Sequence, residues 1–307
     1  LIHLMNVVRY NNTVLNENEG NIYLADYSQN CVWKVSTVGN VTRIAGNGTY
    51  GYSGDSDQAT SAQLSDITGI KLDTSGNLYI TDRGNYRIRR VDKSTGIITT
   101  VVGNGTQGYS GDGGLATSAS IEYCEASVGF DSNGHMYFGD RNNHRVRKVN
   151  KTTGIITTVV GDGTDIEYVD GLSALNVSIG YVYNVVFDSA DNMIINHAHR
   201  NIILRVDAVT GIVNRIAGIV GNATYNGDGI PATDYCLHSW CNISIGPDDS
   251  IYIPDNGNDR IRKITLPSTG GGGQPPSAPT AITGLASSNI TTSAFTVSWS
   301  GGSGTGV

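Results

Sequence analysis

Three constellations in this 307-residue chain have residue types and spacings that could do chemistry. Gly103 to Gly108 reads GNGTQG, a G-x-G-x-x-G that follows the apolar run IITTVV much as a phosphate-cradling loop follows a strand. A carboxylate recurs at Asp26, Asp82, Asp140 and Asp255, in the manner of a ring of acids. The stretch INHAHRN places His197 and His199 one residue apart on a turn, which would bind zinc if a third ligand converged from elsewhere. A weaker candidate is GDSD at Gly54 to Asp57, two acids without the further oxygen ligands that a calcium loop supplies.

What must position these residues is a repeat. GNIYLAD at Gly20, GNLYITD at Gly76, GHMYFGD at Gly134, DNMIINH at Asp191 and DSIYIPD at Asp249 stand 56, 58, 57 and 58 residues apart. Each is followed in register by a second strand (CVWKVS, RIRRVD, RVRKVN, IILRVD, RIRKIT), and all but the last by a third such as IITTVVG. An alternating run such as GIKLD or NVVFD precedes most of them. Four short strands per unit, bounded by Gly, Asn and Asp turns and with no helical period, predict blades arranged radially. The glycine loop then loses its special status. GNGTYG at Gly46 and GDGTDI at Gly161 occupy the same place in neighbouring units, whereas a phosphate loop is needed once. Its glycines are expected to supply left-handed turns between blades. The repeated Asp residues are expected to accept backbone N–H groups in their own turns, with the nearby Asn and Arg as partners. Asp55, Asp112, Asp170 and Asp228 are expected to cap the ATSA-like turns that follow them. Tyr52, Tyr109 and Tyr225 recur in the inter-blade loops and are expected to pack them onto the ring, with sugar stacking as the alternative.

The run D-x-x-N-x-R-I-R, seen as DRGNYRIR at Asp82, DRNNHRVR at Asp140 and DNGNDRIR at Asp255, resembles the NHL repeat, as do the GYSGD loops at Gly51 and Gly108 with their following ATSA. The resemblance covers about residues 12 to 266 and implies a β-propeller, in a family that spans extracellular adhesion modules, receptor sensor domains and some lyases and lactonases. Counting units gives an all-β, five-bladed propeller of four-stranded blades. Unit five stops after three strands at IRKITLPSTGGGG, so the N-terminal LIHLMNVV is expected to close it as the outer strand.

Composition narrows the function. Charged residues make up 15% of the chain, Gly numbers 40 and the net charge is −7. Basic residues are scattered singly, so nucleic acid is excluded as a partner. No apolar stretch approaches the roughly 20 residues of a membrane span. Leu1 in first place, without the layout of a signal peptide behind it, is expected of a processed product or a fragment. Cys236 and Cys241, five apart, are the candidate disulfide, leaving Cys31 and Cys124 as free buried thiols. The sequence shows no G-x-S-x-G elbow and no C-x-x-C, so no catalytic set and no cofactor is called. Nine N-x-S/T triplets, at Asn11, Asn40, Asn47, Asn104, Asn150, Asn176, Asn222, Asn242 and Asn289, mostly in predicted turns, point to an extracellular or cell-surface glycoprotein.

The divisions expected are a propeller over 1–266, a Gly/Pro linker over 267–279 and a C-terminal segment over 280–307. That last segment, with Phe295, Val297 and Trp299 on its second strand, resembles the first two strands of a fibronectin type III domain, a β-hairpin or partial sandwich. Such a hairpin is marginal alone in water. Together with Leu1, Ile2 and Leu4 it is the expected assembly surface, docking head-to-tail on another copy. The reading is a non-enzymatic structural or adhesion scaffold whose partners are copies of itself or a cell-surface protein or glycan. A propeller lyase or lactonase with an axial metal, or a carbohydrate-binding module, is the alternative.

Overall fold

A computed structural model of the chain describes residues 14–16, 20–239, 242–265 and 280–281. The order of elements is five antiparallel blades, as the repeat predicts, joined by loops and short 3-10 turns. Blade one holds β1 (Val14–Asn16), β2 (Ile22–Asp26), β3 (Cys31–Val35) and β4 (Val41–Ala45). Blade two holds β5 (Ile67–Leu72), β6 (Leu78–Asp82), β7 (Arg87–Val91) and β8 (Ile98–Val102). Blade three holds β9 (Gly129–Phe130), β10 (Met136–Asp140), β11 (Arg145–Val149) and β12 (Ile156–Val160).

Blade four gains a fifth strand. β13 (Leu172–Ser173) pairs outside β17 (Ile212–Ala217), beyond β16 (Ile202–Val206), β15 (Met193–His197) and β14 (Asn184–Phe187). Single bridges Gln58 to Ile97 and Leu115 to Ile155 mark the same crossing in blades two and three, so in blades two to four the inter-blade loop runs along the next blade's outer edge.

Blade five holds β18 (Ser244–Ile245), β19 (Ile251–Asp255) and β20 (Arg260–Ile264). Its outer place, expected to go to the N-terminal strand, is held by β21 (Thr280–Ala281), which pairs Ala281 with Arg262 and Thr280 with Lys263. The edge of β20 offers unpaired N–H and C=O groups, and the chain beyond the linker reaches them. Leu1, Ile2 and Leu4 lie outside the described residues, as do Phe295, Val297 and Trp299.

Alternate strand residues fill the spaces between blades. Ala25, Ile70 and Ile80 belong to one apolar cluster, Ile88, Phe138 and Ile156 to the next, then Val185, Ile195 and Leu204, and Ile194, Ile203 and Ile253. Burying such side chains is worth about 1.5–3 kcal/mol each. Toward the axis the blades approach more closely than any side chain allows: a Cβ on Gly69 would lie 2.3 Å from the Ser127 nitrogen of blade three, and one on Gly129 2.5 Å from the Val185 carbonyl oxygen of blade four.

Candidate functional site

The repeated charged residues form an interlocked core within each of blades two, three and five. Arg89, Arg147 and Arg262 are wholly buried. The Arg89 guanidinium donates to Asp55 from Nη2 at 2.7 Å and Nε at 3.1 Å, to Asp82 at 3.4 Å and to the Ser53 carbonyl at 3.1 Å. Arg147 repeats this with Asp112, Asp140 and the Ser110 carbonyl. Arg262 pairs with Asp228 at 2.6 Å and Asp255 at 3.3 Å. The ring of Tyr52 stacks over Arg87 and Arg89, Tyr109 over Arg145 and Arg147, and Tyr225 over Arg260 and Arg262.

Two roles expected from the sequence are corrected here. Asp55 and Asp112 do not cap the ATS turns, whose N-caps carry no side-chain bond. They anchor the buried arginines and accept the Tyr52 and Tyr109 hydroxyls, each at 2.9 Å. Asp82 reaches beyond its own turn: Oδ1 accepts the Ser65 N–H at 2.7 Å, while Asn85 bonds both its oxygens and ties the turn to the Gly51 carbonyl. Asp140 and Asp255 take the Glu122 and His238 N–H groups alike. Only Asp26, in the blade where Trp33 replaces the arginine, serves its own turn, accepting from Ser28 and Gln29. Burial pushes Asp82 and Asp140 up to about 6 against their hydrogen bonds and the arginine charges. Burial works to raise Asp55 as well, but the Thr100 and Tyr52 hydrogen bonds and Arg89 hold it below the usual carboxylate range.

The histidine stretch is built differently. His197 is 1% exposed and takes the place of the buried Asp in blade four. Burial, reinforced by the Arg200 charge, lowers its pKa to about 3, so the imidazole is neutral. The missing carboxylate is supplied by Asp165, from the loop matching Tyr50 and Gln107, which pairs with Arg200 at 3.1 Å and His199 at 3.5 Å. A Cβ on Gly180 would lie 2.4 Å from Asp165, so only glycine admits that loop. His199 is exposed and packs on Tyr181. No cluster of three or more His, Cys, Asp or Glu side chains is arranged to hold a metal among the described residues. The oxygens of Asp55 are committed to Arg89 and Tyr52, which leaves the GDSD stretch without a free pair of carboxylates.

A second belt lies on the same face, where the second-to-third strand turns meet the segments entering the innermost strands. Arg83 and Arg141, from adjacent blades, both bond Glu125, at 3.1 and 2.7 Å, and Glu125 is 8% exposed. Arg83 also lies over the Tyr123 ring, and Arg141 over Tyr181. Tyr181 touches the rings of His144 and His199, extending the belt across three blades. Apart from His199, sequence reasoning did not single these residues out. The signal was present: the second position of the turn motif is Tyr27, Arg83, Arg141, Ala198 and Asn256, so it varies between units while the strands on either side keep their pattern.

Cys31, Cys124 and Cys236 are free, buried thiols, and Cys241 lies outside the described residues. Burial raises the pKa of Cys31 and Cys124, which keeps them protonated. Among the triplet asparagines, Asn40, Asn104, Asn176 and Asn222 are exposed, and Asn47, Asn150 and Asn242 half-buried. Asn47 and Asn104 spend their amide nitrogens on the Ser61 and Ser118 carbonyls. Asn11 and Asn289 lie outside the described residues. No helix among those residues is long and apolar enough to cross a membrane.

No family model matches the chain. Teneurin-1 of chicken is 26% identical over 281 residues, and teneurin-1 of mouse is 26% identical over 282. In both, the match covers 80% of this chain and 10% of the relative, so the chain spans about a tenth of the length of the curated proteins it matches. Among solved structures, a protein of unknown function from Bacteroides thetaiotaomicron superposes with a TM-score of 0.60 at 17% identity, covering 82% of this chain and 57% of the other. An auxiliary nutrient binding protein from the same organism gives 0.58 at 17%, covering 82% and 58%. A streptogramin B lyase gives 0.51 at 15%, covering 87% and 67%. These likenesses show a shared propeller fold.

Proposed function

We propose that the chain is a non-enzymatic extracellular module of NHL-repeat type, an adhesion or structural scaffold that works through surfaces and strand edges. The observation that carries the reading is the commitment of the repeat's charged side chains to the ring: the second arginine of each motif is held between two carboxylates under a tyrosine. Such a set holds loops in place and presents no reactive group to solvent. The 26% identity to a tenth of teneurin-1 supports the same reading.

Assembly through the ends is the finer part of the proposal. In blade five only Arg262 and Lys263 of β20 are paired on its outer side among the described residues, and Ile261 is 44% exposed. An incomplete edge of this kind accepts a strand from another chain. The segment of fibronectin type III resemblance beyond Ala281, which with Thr280 already pairs in its own chain, and the N-terminal residues are the donors. Light scattering on the chain with and without residues 270–307 tests this: self-association that disappears on truncation supports it, and a monomer in both forms at high concentration refutes it. The lyase reading is tested by metal analysis of the purified protein and of His197→Ala. A stoichiometric metal lost in that variant would replace the scaffold with an enzyme.

A further inference from the structure

At the opposite end of the axis from the arginine belt, the ring opens into a cavity of about 590 Å³, lined by the innermost strands of blades two to five. Its wall is mixed, with Leu72, Phe130, Val186, Phe187 and Ile245 beside the polar Thr74, Ser127 and Ser244, and its size falls in the range of small-molecule sites. Lys71 lines it too. Lys71 is a break in the inner strand: the equivalent positions are Gly129 in blade three and Val186 in blade four, Phe130 and Phe187 stand level with Leu72, and no other strand lining the cavity contributes a lysine or arginine.

Three other cations at this end are matched. Lys263 pairs with Asp248 at 3.0 Å, Arg90 with Asp92 at 3.1 Å, and Arg205 lies 3.7 Å from Asp188. The Lys71 side chain is half-buried and makes no ion pair and no hydrogen bond among the described residues, and burial alone lowers its pKa. Taking an ammonium out of water costs free energy that an opposite charge offsets. Among the described residues, none supplies that charge. Flanked by phenylalanine and aliphatic side chains, the vacancy suits a ligand with one negative end and an apolar body. A phosphate, doubly charged and strongly hydrated, gains nothing from the phenylalanine and aliphatic part of the wall.

We propose that this cavity binds a small amphipathic carboxylate, with its carboxylate on the Lys71 Nζ and its apolar body against Phe130, Phe187 and Leu72. Calorimetric titration of the full chain with decanoate, decanol and inorganic phosphate at pH 7 tests it. Decanoate binds at least tenfold more tightly than decanol, and phosphate produces no heat. Lys71→Met brings the decanoate-to-decanol ratio to about one, while Lys71→Arg, which keeps the charge, retains the preference. Circular dichroism establishes that both variants keep the wild-type sheet spectrum. The proposal fails if decanoate does not bind, if decanol binds equally well, if phosphate competes with decanoate, or if Lys71→Met keeps the preference.

Discussion

Replacing His197 by glutamine should flatten the acid side of the stability profile. In the folded ring the imidazole titrates at about 3, because it is buried and faces the Arg200 charge. Unfolded, it returns to about 6.5. The unfolded chain therefore binds the extra proton between those values. The stability tied to the neutral imidazole is complete above pH 6.5 and is lost as pH falls toward 3. Linkage puts the loss between pH 7.5 and pH 5 at about 2 kcal/mol. For a domain of this size that is about 4–8 °C in Tm. Asp82 and Asp140, raised to about 6, act in the opposite sense: their folded forms hold protons more tightly, so their contribution grows as pH falls through 6. Both proteins share that term, and the difference between them isolates the imidazole. Urea unfolding of wild type and His197→Gln at pH 7.5 and pH 5 measures it. If the two lose the same stability on acidification, His197 is not held neutral by burial, and the account of blade four given above is wrong.

Arg147→Met should cost about 3–5 kcal/mol in urea unfolding, since it leaves the Asp140 and Asp112 carboxylates facing each other without their cation; adding Asp140→Asn should recover part of the loss, and a loss under 1 kcal/mol would show the pair to be solvated. Gly69→Ala should destabilise by about 1–3 kcal/mol or more, because the new methyl meets backbone of the next blade rather than a movable side chain; an unchanged Tm would mean the two inner strands can part at little cost. Glycopeptide mapping of secreted protein should find sugar at Asn40, Asn176 and Asn222 and little at Asn47 or Asn104, whose amide nitrogens hold the inter-blade turns. Full occupancy at Asn104 would show that the turn survives without that bond.

The architecture was legible because each blade restates the same local instructions. Period-two apolar strands, an Asp closing the second strand and glycines at left-handed positions recur at a near-constant interval, and one unit read correctly gives them all. The strand place closing blade five was misassigned, since LIHLMNVV and the segment at Thr280 both have the pattern of an edge strand and pattern alone does not say which end arrives. The partners of the motif residues were also hidden. Asp82 meets a backbone N–H 17 residues upstream and Arg89 a carboxylate 34 residues away, distances no local spacing encodes.

By itself, then, the sequence determined the number of blades, the order of the repeat's own strands within them and the residues at their turns, because those depend on short-range sterics and on burial repeated many times over. The closed ring decided the rest. It sealed the arginines between loops from different parts of the repeat, moved the carboxylate of blade four from residue 197 to Asp165, and brought Lys71 beside Leu72, Phe130 and Phe187 in the cavity at the axis. Charge energies depend on which groups burial brings within a few ångströms of one another, and only the folded ring sets those distances.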